Sequence, residues 1–231
     1  MPAGTGVAPP DEEASAMHDH PPVNLPEELL LLCADPRSGQ LRRPHHFDRV
    51  LGGAVLAELL AVGALAVQDK RITEVRPLPV GDPVADRILA ELSETGKRPR
   101  HLALDRWVRR ASSRVARTYL DALTARGLLT VRRRRVLGIF PAMTYTATLP
   151  GWPKAGADRI LRALPTAGPY DPTARDLQLA ALVGTVSLDR RLFPGPDGRP
   201  IRKRLGELSR TTPIAAAVRR VISSDEAAAS S

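Results

Sequence analysis

Apolar positions recur at helical spacing over most of this chain. Val115, Tyr119, Leu120 and Leu123 return at three- and four-residue steps, which predicts a helix over 113–126, ended by Gly127 as a C-cap. Val84, Ile88, Leu89 and Leu92 repeat the pattern behind Asp82-Pro83. Leu104, Trp107 and Val108 repeat it again, with Arg106, Arg109 and Arg110 facing outward. A leucine-rich helix over 25–34 opens the folded part, with Pro26, Glu27 and Glu28 suited to a first helical turn. Residues 50–67 are apolar except at Glu58. Centred in a bilayer, that glutamate would cost about 2.5–3.5 kcal/mol, so the run predicts a buried core helix. A short hairpin over 65–67 and 71–75 follows it. Further helices are predicted over 155–164, 172–187, 200–210 and 213–222. β-prone runs at 128–131, 136–140 and 143–148 alternate with turns, and Arg132, Arg133, Arg134 and Arg135 read as a hairpin tip between the first two. The polar, Pro-rich stretch 1–23 and residues 223–231 read as disordered tails, leaving one domain over 24–222.

Charge changes this picture more than composition does. The 231 residues carry a net +9, yet residues 97–135 alone hold 13 basic side chains against Asp105 and Asp121, a net of +11. Everything outside that window therefore nets to −2, and the partner implied is anionic. Thirty of the 34 basic residues are arginine, whose planar fork binds phosphate in a bidentate manner.

Little in the chain points to catalysis. Cys33 is the only cysteine, which excludes an internal disulfide and a cysteine-based zinc site. No nucleophile elbow, Walker loop, H-E-x-x-H or spaced acidic triplet is present, so neither an enzyme nor a metal or cofactor is expected. His18 and His20 lie in the N-terminal tail, and His45-His46 reads as a solvated pair at the start of a helix, its neighbouring side chains pointing apart. The N-terminus lacks the basic and apolar regions of a signal peptide. Two binding readings follow. One is a peripheral membrane protein whose arginines meet anionic head groups. The other is a winged-helix-like DNA binder that uses helix 113–126 and the hairpin at 128–140.

Segment order adds a resemblance. Glu27-Glu28-Leu29-Leu30-Leu31-Leu32, the turn from Asp35 to Gly39, and Leu56-Ala57-Glu58-Leu59 followed by Gly63 resemble the opening of the Golgi phosphoprotein 3 family domain. Trp107, the helix ending before Gly127-Leu128-Leu129, and Leu137-Gly138-Ile139-Phe140-Pro141 resemble its later segments, especially in the bacterial branch. The resemblance implies a mainly α, compact helical bundle with a projecting β-hairpin and no catalytic activity. It also implies a cytoplasmic protein held peripherally at membranes, binding phosphatidylinositol 4-phosphate. The family's pocket uses a tryptophan, an arginine in the L-x-E-L helix and an R-x-x-R pair. The tryptophan position falls at Arg43 and the first arginine at Gly52, while Arg114 and Arg117 form an R-x-x-R on one helical face. The expected lipid contacts are therefore Arg114 and Arg117, with Arg42 and Arg43 adding charge from the loop. Arg132 to Arg135 would touch lipid or mediate self-association.

Overall fold

The computed structural model describes residues 21–95, 102–136, 140–149, 151–164 and 172–230. The expected N-terminal tail, as far as residue 20 and including His18 and His20, lies outside them. Helix α1 (Leu25–Leu31) is buried at every residue. It starts with a reciprocal cap: Asn24 Oδ1 accepts from the Glu27 N–H at 2.9 Å, and Glu27 accepts from the Asn24 N–H at 3.1 Å. Helix α2 (Phe47–Ala61) is apolar almost all round and runs through the centre of the bundle. Glu58, which argued against a membrane span, accepts the Leu25 N–H at 2.7 Å and so satisfies an orphan donor of α1.

Around α2 pack α3 (Pro83–Thr95), α4 (Leu104–Ala111), α5 (Val115–Ala125), α6 (Trp152–Ala163), α7 (Ala174–Val183), the short α8 (Leu188–Leu192), α9 (Arg199–Thr211) and α10 (Pro213–Ala229). Strands β1 (Leu65–Gln68) and β2 (Arg71–Val75) form one antiparallel hairpin, and β3 (Leu129–Val136) and β4 (Phe140–Ala147) another. The fold is mainly helical, with the second hairpin as its projecting element.

Many arginines are used in pairs with the domain's own carboxylates. Arg159 bonds Glu28 at 2.8 Å and also Asp176, both carboxylates lying almost fully buried. Arg126 bonds Glu27 at 2.8 Å, Arg175 reaches Glu28 and Glu58 at 3.4 Å, and Arg220 bonds Asp105 at 2.6 Å. Burial raises the Glu28 pKa above the usual carboxylate value, and its two arginines only partly oppose that.

The structure corrects two expectations. Arg132, Arg133, Arg134 and Arg135 lie within β3, paired with Thr144, Met143, Ala142 and Pro141, so they are not the tip. The pairing runs on to Val136 with Phe140, and residues 137–139 lie outside the described residues. A two-stranded ribbon has no covered face that must reject charge. The C-terminal stretch is also not a tail, since α10 runs on to Ala229.

Candidate functional site

A cleft of about 930 Å³ opens between residues 41–49, the end of α4 and the C-terminal part of α10. Its floor is set by a close approach of two helices. Gly52 of α2 meets α4 so tightly that a Cβ there would lie 2.6 Å from the Val108 carbonyl oxygen and 2.5 Å from Ser112 Oγ. One turn back along each segment stand Arg49 and Arg109, both lining the cleft. They converge on Asp225 of α10: Arg49 Nε donates to Oδ2 at 2.8 Å, and Arg109 donates to Oδ1. Burial alone would raise the Asp225 carboxyl, but hydrogen bonds from Arg109 and Arg49 outweigh it and hold the group below the usual range.

Arg43 reaches in from the loop, 3.7 Å from Asp48. His46 begins α2 in the left-handed region at φ 56° and makes no side-chain cap. The positive end of the α2 dipole, at Phe47 to Arg49, thus lines the cleft without a side-chain cap, the Arg49 N–H alone donating to the His46 carbonyl at 2.9 Å. The histidines do not point apart. That φ breaks the regular alternation, and the two rings meet edge to face with centroids 4.0 Å apart. His46 is largely buried and lies 3.9 Å from Glu226, so the reading of a solvated pair fails for it.

Of the arginines expected at a site, only Arg43 lines the cleft. Arg42 is exposed, and its carbonyl accepts from Arg191. Arg114 follows the cleft residues Ser112 and Ser113, but as the left-handed N-cap of α5 at φ 58° it stands outside the helical turns. It therefore does not share a regular helical face with Arg117. Arg117 is 78% exposed and pairs loosely with Asp121 at 3.7 Å. Arg132 and Arg133 are exposed in β3, away from the residues that line the cleft. Arg49 and Arg109 are site residues that the sequence pattern does not single out. The signal was present for Arg49, one helical turn before the glycine that occupies the expected arginine position.

A second cavity of about 490 Å³ is lined by Glu27, Glu58, Asp82, Tyr119 and Arg126, among others. Its groups satisfy one another: Tyr119 donates to Asp82 at 3.0 Å, and the Val84 and Ala85 N–H groups donate to the same oxygen at 2.8 Å. Asp82 thereby caps α3. Among the described residues there is no group of three or more His, Cys, Asp or Glu placed to hold a metal, and no helix long and apolar enough to cross a membrane. A search of curated proteins finds no match. The family model described as Golgi phosphoprotein 3 (GPP34) matches residues 25–224.

Proposed function

The chain belongs to the Golgi phosphoprotein 3 family, and from that membership we propose that it docks peripherally on membranes by binding anionic phospholipid head groups, without catalysing a reaction. The observation that carries this reading is the cleft itself, where Arg43, Arg49 and Arg109 gather beside an uncapped helix N-terminus. Guanidinium forks and free N–H groups at a helix start are the two protein devices that best hold phosphate. Phosphatidylinositol 4-phosphate is the finer assignment. The family's helix arginine has no room at Gly52, and Arg49 supplies a guanidinium one turn earlier. Arg114 and Arg117 would then meet head groups at the rim, with Arg42. The protein would work from the cytoplasmic side. Exposed Val131 and Met143 on one face of the second hairpin fit self-association there.

The DNA reading draws support from exposed Arg132 and Arg133 beside α5. Against it, the basic cleft joins loop 41–46 and the start of α2 to the end of α4, and none of its lining residues lies in α5 or the second hairpin, the elements a DNA site would use. The test is co-sedimentation with anionic vesicles. Arg43→Gln with Arg49→Gln removes two charges while keeping hydrogen-bond donors, and should weaken binding about 30-fold at about 1 kcal/mol per arginine. Unchanged binding would refute the assignment to this cleft.

A further inference from the structure

We propose that Asp225 is a built-in competitor for the cleft, one that makes it select phosphomonoester head groups over phosphodiester ones. The inference rests on the head-group reading above. Asp225 places one carboxylate oxygen on Arg49 and the other on Arg109, the bridging position that two guanidiniums would offer to a phosphate. An acceptor already occupies the strongest donors of the cleft.

The carboxylate is held on a segment that can leave. Apolar burial along α10 stops at Ile222, and residues 223, 224 and 226–230 are all exposed. Polar contacts help tie this last part of α10 to the domain, among them Asp225 to the two arginines and Glu226 to His46 at 3.9 Å. The family match ends at residue 224, one position before this carboxylate.

Charge then decides which ligands displace it. Three arginines against Asp48 and Asp225 leave the cleft one formal positive charge, counted over these five side chains. A phosphodiester carries a single negative charge, so its entry exchanges one monoanion for another. A phosphomonoester carries about −1.5 to −2 at neutral pH and presents three strong acceptor oxygens. It can take both guanidiniums and still meet Arg43 or the α2 N-terminus, which the carboxylate does not.

The experiment is co-sedimentation of the full chain with phosphatidylcholine vesicles containing either phosphatidic acid, a monoester, or phosphatidylglycerol, a diester. The wild type should prefer the monoester. Asp225→Asn keeps the shape and removes the charge, and should tighten binding to the diester vesicles about fivefold or more, collapsing the preference. Glu207→Gln makes the same change in net charge at an exposed position of α9 that does not line the cleft, and should leave the preference intact. A chain ending at Ser224 should behave like Asp225→Asn, which covers the case of an asparagine variant that folds poorly. Diester binding unchanged or weakened in both Asp225 variants would overturn the proposal, as would an equal gain from Glu207→Gln. If no form of the protein sediments with either anionic vesicle, the head-group reading itself falls and the selector falls with it.

Discussion

Gly52→Ala should destabilise this protein, although alanine is the better helix former. The added Cβ would lie 2.5 Å from Ser112 Oγ, 2.6 Å from the Val108 carbonyl oxygen and 2.9 Å from the Ser112 nitrogen. Two of these three atoms are backbone and cannot rotate away. Val108 O is also fixed, since it accepts from Ser112 Oγ at 2.6 Å and from Ser112 N at 3.0 Å. Overpacking of this kind costs about 1–3 kcal/mol, and a rigid backbone obstacle places it toward the upper end. Exchanging glycine for alanine inside a helix returns about 1 kcal/mol. The net loss is about 1–2 kcal/mol, a fall in Tm of about 2–8 °C for a domain of this size. Circular dichroism melts of the two proteins measure it. A Tm equal to or above the wild type, as an uncrowded helical glycine would give, refutes the close approach of α2 and α4. The same wedge would part Arg49 from Arg109, so vesicle binding should weaken along with stability.

Two other substitutions or treatments probe the buried chemistry. Arg159→Ala strips Glu28 and Asp176 of their shared cation while both stay buried, and should cost about 3–5 kcal/mol, read as a lower urea midpoint; a loss under about 1 kcal/mol would mean that the triad is solvated. Burial raises the Cys33 thiol to about 12, so a thiol reagent near neutral pH should label the native protein far more slowly than the urea-unfolded chain, and equal rates would contradict the burial.

Local pattern carried most of the fold. The apolar run that became α2, the hairpin around Gln68-Asp69-Lys70 and the helix behind Asp82-Pro83 were all legible, because each declares itself within a dozen residues. The arginine block misleads because charge density alone is no turn signal. Strand register, which the block does not encode, places it inside β3. The site was less legible still. Asp225 meets Arg109 across 116 positions and Arg49 across 176, and pairing at such separation leaves no periodic trace. The same holds for Glu27 and Glu28, which look like dipole-complementing residues on a solvated turn. In the bundle both are buried, bonded to Arg126 and to Arg159 respectively, with Arg175 3.4 Å from Glu28. Gly52 shows the converse. Its identity matters through what it admits, a neighbouring backbone, and that is visible only once α4 is in place.

The most direct measurement is sedimentation of the wild-type protein with phosphatidylcholine vesicles, with and without phosphatidylinositol 4-phosphate, at about 0.15 M salt and with duplex DNA as competitor. The account predicts pelleting only with the phosphoinositide vesicles, undiminished by DNA. Failure to pellet with them, alongside a DNA gel shift at the same salt, would contradict it.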